Sequence, residues 1–323
     1  MTDITRVTGG TTTLALCCLI PAWIIYKSFT EPRLRRPELV PPSGERVLIL
    51  GASSGIGHVL ALKYAVRGAK VCVVARRSAE LERVRSECEV VARVPDAVFS
   101  VCADFTDAEA LIIVRNKIEE KWHGLDTLVV SAGVSALRPV LEIAGVSRVS
   151  AAQPSADGVQ RVADVALAAI KGNYIGPLLS VVTMIPLMKS TSASPSVLLV
   201  SSLGAAIPAP TRAIYGSSKA ASYILYQALS IENPAINFSC VLPSTIEGNF
   251  RASAVDGGPT REVDPNRTGL KREAVAERCI SAVDTYEKTV FFPTIYRYAQ
   301  FLWWLWPSYV ERKASKKYNY TPT

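Results

Sequence analysis

Tyr215 and Lys219 lie four residues apart within SSLGAAIPAPTRAIYGSSKAA, a spacing that sets both side chains on one face of a helix. An ammonium beside a phenol favours the phenolate and moves the hydroxyl toward useful acid–base range. Ser202 precedes Tyr215 by 13 residues, at the end of an apolar run, and could donate a hydrogen bond that holds a carbonyl oxygen near that phenol. Such a trio suits proton exchange with the oxygen of a carbonyl or an alcohol. A second grouping stands far upstream. Gly51-Ala52-Ser53-Ser54-Gly55-Ile56-Gly57 follows the run RVLIL and leads into an amphipathic stretch. Glycines there let a turning backbone approach a pyrophosphate, and the helix N-terminus behind them offers unpaired N–H groups and a favourable dipole. No GK[ST] closes the motif, which excludes a P-loop.

These residues need elements that bring strand ends together. Short apolar runs at 46–50, 70–75, 97–102, 127–130, 197–201 and 237–242 lack strict polar alternation, as strands buried on both faces do. Longer amphipathic stretches at 55–67, 78–92, 106–123, 159–187 and 211–232 separate them. The alternation predicts an α/β domain with a Rossmann-like, doubly wound parallel sheet in three αβα layers. A further helix is expected over 271–286 and a last strand in TVFFP. The second strand ends at Ala75, and Arg76 and Arg77 follow where an NAD-preferring fold carries an acid for the ribose diol. A guanidinium fork matches a phosphate, so the expected cofactor is NADP(H), with Arg76 favoured over Arg77 as the reader of its 2′-phosphate.

With the glycine turn and the YxxxK pair in this order, residues 45–250 resemble the short-chain dehydrogenases/reductases, with a looser match to about 292. The resemblance implies that Gly51, Gly55 and Gly57 hold the pyrophosphate, together with Ser53, Ser54 and Ile56, and that Asp104 contacts the adenine. It maps the family's Asn-Ala-Gly motif onto Ser131-Ala132-Gly133 and its catalytic tetrad onto Asn173, Ser202, Tyr215 and Lys219. Tyr215 would then exchange the proton, Ser202 position the oxygen, Lys219 tune the phenol and bind the ribose, and Asn173 support a water path. Pro243 and Ile246 fall in the segment that meets the nicotinamide side. Two departures stand out: Ser131 replaces the usual Asn, and the family's Pro-Gly motif reads Pro243-Ser244-Thr245-Ile246-Glu247-Gly248, leaving Thr245 or Asn249 to replace its usual Thr. The implied activity is an NADP(H)-linked ketone or aldehyde reductase, or alcohol dehydrogenase, requiring no metal. The alternative is a noncatalytic dinucleotide-binding or scaffold protein, against which the complete tetrad stands.

The rest of the chain bears on location and substrate. Twenty uncharged residues between Arg6 and Lys27 could form a helix of about 30 Å, one hydrocarbon core. The expected organisation is a single-pass anchor over 7–29, a proline-rich linker over 30–44, a catalytic domain over 45–292 with a substrate loop about 248–272, and a tail over 293–323. Lys27, Arg33, Arg35 and Arg36 after the run would leave the domain in the cytosol, with the endoplasmic reticulum as the expected membrane. The tail packs nine aromatics into residues 291–309, with Arg312, Lys313, Lys316 and Lys317 behind them. That composition suits a membrane interface, or alternatively a core helix or a homodimer contact. It also resembles membrane-associated members of the 11-beta-hydroxysteroid dehydrogenase kind. A lipophilic substrate is expected: a steroid, sphingoid, fatty-acyl, retinoid or terpenoid-like molecule. The net charge of +8 comes largely from the flank and tail, and no helix reads as a nucleic-acid reader. Seven Cys without CxxC spacing and two distant His argue against a disulfide scaffold or a zinc site.

Overall fold

Runs such as Val47–Leu50 and Val71–Ala75 carry apolar side chains on both pleat faces, so the sheet they form must be covered on both sides. The computed structural model describes residues 35–92, 96–146, 153–261 and 264–321. Among them, strands β1 (Arg46–Leu50), β2 (Lys70–Ala75), β3 (Val98–Cys102), β4 (Thr127–Val130), β5 (Ser196–Val200), β6 (Asn237–Pro243) and β7 (Thr289–Phe292) form one parallel sheet in the order 3-2-1-4-5-6-7. Order reverses between β1 and β4, the switch point where such sheets open a crevice at their C-terminal ends.

Alternate strand residues feed two cores. Val47, Ile49, Val71 and Val73 pack with α2 (Gly55–Val66), α3 (Ser78–Val91) and α10 (Arg272–Asp284). Leu48, Leu50, Cys72 and Val74 pack on the other face with α4 (Ala108–Trp122), α7 (Gly176–Thr191) and α8 (Ala213–Glu232). The three-layer parallel architecture is therefore present. Shorter helices complete it: α1 (Arg36–Leu39), α5 (Val140–Ile143) and α9 (Pro265–Thr268). The stretch read as one helix over 159–187 begins earlier, as α6 (Ala156–Ile170), and continues through a π-helical turn at Lys171–Ile175 into α7. The tail forms α11 (Tyr296–Leu305) and α12 (Pro307–Lys317).

One part of the expected architecture is corrected. The N-terminal membrane helix does not stand: the one run among the described residues long and apolar enough to cross a bilayer is Ala156–Thr191, 36 residues in the middle of the α/β domain. Residues 7–29, where the anchor was expected, lie outside the described residues. The apolar content of this central run has a local cause, since Val181, Met184 and Met188 are fully buried against the sheet. The proline-rich stretch is also anchored from Arg36 onward. Arg36 is fully buried, with Nη1 2.6 Å from Glu45 Oε1, Nε donating to the Ser194 carbonyl, and Nη2 donating to Thr127 Oγ1. That charge is spent inside the domain and leaves the flanking count used for orientation.

Candidate active site

The glycine turn is built by steric necessity. Gly51 has φ +87°, and a Cβ there would lie 2.6 Å from Ala132 Cα. A Cβ on Gly57 would meet the Gly51 carbonyl oxygen at 2.3 Å and Ser131 Oγ at 2.5 Å. These two glycines thus let the first turn close against the β4 end. Gly55, at φ +62°, faces open space, where a side chain would occupy the approach to the helix N-terminus. Ser54 caps α2 without a side-chain hydrogen bond to the helix, so its hydroxyl leaves the first N–H groups to other partners. The cradle has room and donors for a pyrophosphate, and the fit to a dinucleotide is good.

Around this turn the residues of the cofactor set gather at strand ends. Ser131 Oγ donates to the Leu50 carbonyl at 2.8 Å, which ties β4 to the turn as a hydroxyl can and a longer amide need not. Asp104 accepts from both the N–H and Oγ1 of Thr106 at 2.9 Å. Burial alone would raise its pKa, but these bonds and the nearby Arg76 and Lys171 charges outweigh it and hold the carboxyl below its usual range. Pro243 ends β6. Ile246 follows in a short bridge to Leu270 and packs, with Ile56, against the first core.

The four residues of the expected tetrad converge from three elements: the π turn, the end of β5 and α8. Asn173 sits in the π turn, whose extra residue changes the helical phase between α6 and α7. Its Oδ1 accepts from Val134 N at 2.9 Å, while Nδ2 donates to the Val134 carbonyl and to Ser218 Oγ. Lys219, also buried, donates to the Val200 carbonyl at 3.4 Å. Gly133 is the meeting point: a Cβ there would lie 2.8 Å from Asn173 Oδ1 and 2.9 Å from Lys219 Nζ. Ser202 follows the β5 end, and its Oγ accepts from Gly204 N. A Cβ on Gly204 would touch both Ser202 Oγ, at 3.6 Å, and the Tyr215 ring, at 3.9 Å. Burial lowers the Lys219 pKa to about 8. The arrangement therefore holds a half-buried phenol beside a hydroxyl, with a desolvated ammonium one helical turn behind.

Several contributors escape a reading of spacing. Arg77, rather than the favoured Arg76, reaches the glycine turn, with Nη2 donating to Ser53 Oγ at 2.9 Å and Ser54 Oγ at 3.0 Å. Arg76 is 69% exposed and lies 4.0 Å from Asp104. Arg212 is buried, donates to Ser135 Oγ and the Ala136 carbonyl, and lies 5.8 Å from the Tyr215 ring and 5.7 Å from that of Tyr318. The chain's tail thus reaches the neighbourhood of the Tyr215 phenol. Phe250 approaches the Tyr215 ring edge-on at 6.1 Å. Asp256 pins the segment after β6 by accepting from the N–H groups of Leu137 and Arg138 at 2.6 and 2.7 Å. Of these, only Arg77 stood out in the sequence, beside Arg76; the roles of Arg212, Phe250 and Asp256 depend on partners distant in sequence.

Comparison with known proteins agrees with this geometry. The profile of the family described as short chain dehydrogenase matches residues 45–257. The chain is 27% identical over 248 residues to a dehydrogenase/reductase SDR family protein 7-like of Drosophila melanogaster, covering 74% of this chain and 70% of that protein. It is 26% identical over 271 residues to an 11-beta-hydroxysteroid dehydrogenase A of Sesamum indicum, covering 81% and 71%. Among solved structures it is similar to an alcohol dehydrogenase from the archaeon Thermococcus sibiricus complexed with 5-hydroxy-NADP. The TM-score there is 0.61 at 23% identity, over 77% of this chain and 95% of that one, a likeness of fold.

Proposed function

We propose that this chain, which belongs to the short-chain dehydrogenase family and is an NAD(P)-dependent oxidoreductase, uses NADP(H) to interconvert a lipophilic ketone or aldehyde and its alcohol. The observation that carries the reading is the convergence on two glycines: Asn173 and Lys219 on Gly133, and Ser202 and Tyr215 on Gly204. When bound, the nicotinamide supplies the hydride in reduction or takes it up in oxidation. Gly51, Gly55 and Gly57 would hold the pyrophosphate, with Asp104 on the adenine side and Arg77, supported by Arg76, toward a 2′-phosphate.

Tyr215 Oη gives its proton to the carbonyl oxygen in reduction and takes it back in oxidation. Ser202 Oγ holds that oxygen by a hydrogen bond. Lys219 contributes positive charge behind the phenol, which favours the phenolate left after proton transfer. Asn173, whose amide is already engaged by Val134 and Ser218, keeps the π turn and α8 in register so that Lys219 stays aimed at the site. The Phe250 ring beside Tyr215 and the Tyr318 ring over Arg212 give the substrate side aromatic surface, which supports a lipophilic substrate.

Oxidation of NADPH by the solubilised full chain, measured across a panel of lipophilic ketones, tests the reading. Tyr215→Phe should lower turnover by about 100- to 10,000-fold while cofactor binding, followed by fluorescence, is retained. Full activity in that variant would remove Tyr215 as the acid. Cofactor binding without turnover of any ketone or alcohol by the unmodified chain would favour a binding protein instead.

A further inference from the structure

Helix α11 is apolar on both of its sides. Its inward side carries Tyr296, which packs on the core, with half-buried Ala299, Gln300, Leu302 and Trp303. Its outward side carries Ile295 just before the helix and then Tyr298, Phe301, Trp304 and Leu305, an exposed arc at three- and four-residue spacing. Trp304 and Leu305 are each 82% exposed, and Phe301 is 64% exposed. An apolar arc of this kind, left facing water, marks a surface meant for something else.

The next helix names the occupant. α12 holds one acid, Glu311, against Arg312, Lys313, Lys316 and Lys317, all exposed. Trp306 and Tyr309 stack at 5.3 Å between the two helices. Aromatic and aliphatic side chains on one helix beside a basic helix fit an interfacial segment on anionic lipid. A second copy fits less well, because a two-fold contact through α11 would bring the two basic helices toward each other. We infer that α11 and α12 dock on an anionic bilayer leaflet, with Phe301, Trp304 and Leu305 at the acyl boundary and the α12 cations at the headgroups. This surface lies outside the glycine turn and the tetrad, and its docking does not depend on which carbonyl is reduced.

The test uses the full chain with Trp23→Phe, which leaves Trp122, Trp303, Trp304 and Trp306 as emitters. It is mixed with phosphatidylcholine vesicles carrying brominated acyl chains, with or without about one-third phosphatidylserine. Indole emission should be quenched, and the apparent affinity should rise at least tenfold with phosphatidylserine, given roughly fivefold per basic residue near the surface. Phe301→Glu with Leu305→Glu should abolish most of the quenching, and both positions are exposed enough to leave the fold intact. Lys313→Glu with Lys316→Glu should remove the phosphatidylserine preference while some quenching remains. Absence of quenching, or equal quenching in the Phe301/Leu305 variant, overturns the inference. If that variant instead changes a dimer into a monomer by light scattering, the face belongs to a second copy; if it changes only the protease accessibility of residues 1–34, the face belongs to that segment. NADPH binding and turnover are read separately, so failure here leaves the enzymatic reading standing, and failure of turnover leaves the docking result standing.

Discussion

A buried cation sits at each end of the parallel sheet, and the two are treated in opposite ways. At the N-terminal ends of β1, β4 and β5, Arg36 has partners all around it: Glu45, Thr127 and the carbonyls of Ser194 and Asp126. At the C-terminal ends, Lys219 has three N–H donors and one partner among the described residues, a 3.4 Å bond to the Val200 carbonyl. Arg36, with four of its five N–H donors bonded, ties three strand ends together and serves the fold. A buried charge with donors in reserve is destabilised as it stands, and its environment pulls its pKa toward neutrality, as burial does for Lys219. Both cations are buried, and of the two Lys219 is the one that keeps donors in reserve, as the proposed role at the reacting phenol requires.

Removing each cation should therefore have opposite consequences, and the largest effect belongs to Arg36. Arg36→Met would remove the guanidinium nearest a fully buried Glu45, leaving its Oε1 with only the Thr127 hydroxyl and its Oε2 with no hydrogen bond and Arg67 at 3.7 Å. The expected loss is about 3–5 kcal/mol in denaturant unfolding, with turnover per folded molecule unchanged. Adding Glu45→Met should restore much of it, because a pair removed together leaves no orphan charge. A loss below about 1 kcal/mol in the single variant would show that the Arg36 network contributes no more than a surface pair.

The two ends also differ in how far they could be read from sequence. The C-terminal end was legible because its chemistry depends on local spacing: Gly51 to Gly57 within one turn, and Tyr215 to Lys219 within one helical turn. The strands were legible because burial on both faces leaves continuous apolar runs, and β1 and β2 fall where those runs lie. The N-terminal end was not, since Arg36 reads as one more charge in a basic, proline-rich stretch until Glu45, Thr127 and Ser194 are brought to it. Asn173 was placed by resemblance, but the π turn that presents it leaves no periodic mark in an apolar helix. The tail was legible as aromatic, and not as to which rings face out: Tyr296 packs inward while Trp304 does not.

The next effect is a pH dependence with a defined sign. Folding takes the Lys219 pKa from 10.5 to about 8, so between those values the unfolded chain binds a proton that the folded chain does not. Stability contributed at this site therefore rises with pH across that window. Below about pH 8 the buried ammonium costs its full amount, about 3 kcal/mol. Lys219→Met should be more stable than the unmodified protein at pH 7, should lose the rise between about pH 8 and 10.5, and should lose turnover. Denaturant midpoints of both proteins across that range measure it. A variant less stable at pH 7, with the slope unchanged, would place Lys219 with Arg36 among structural cations.

The smallest effect concerns two neighbouring arginines and turns on the same distinction between spent and available donors. Arg76 stands out in solvent and sees Asp104 at 4.0 Å, a carboxylate that repels any incoming phosphate. Arg77 bends over the glycine turn: its Nη2 bonds the Ser53 and Ser54 hydroxyls, which are neutral and easily exchanged for a charged acceptor, while its Nη1 lies 3.4 Å from Glu80. A charge-assisted bond to phosphate is worth more than the bonds to hydroxyls it would replace. Arg77→Ala should therefore raise the KM for NADPH roughly thirtyfold, about 2 kcal/mol, and leave that for NADH nearly unchanged. Arg76→Ala should have a smaller effect of the same sign, since its loss also leaves Asp104 with Lys171 as its remaining nearby positive charge. Steady-state KM values for both cofactors in both variants decide the order. Equal losses for NADPH and NADH in Arg77→Ala would mean that its two hydroxyl bonds shape the turn and that neither cofactor's 2′ position is read there. A larger loss in Arg76→Ala would mean that Arg76 swings away from Asp104 when the phosphate arrives, and that exposure rather than reach marks the available donor.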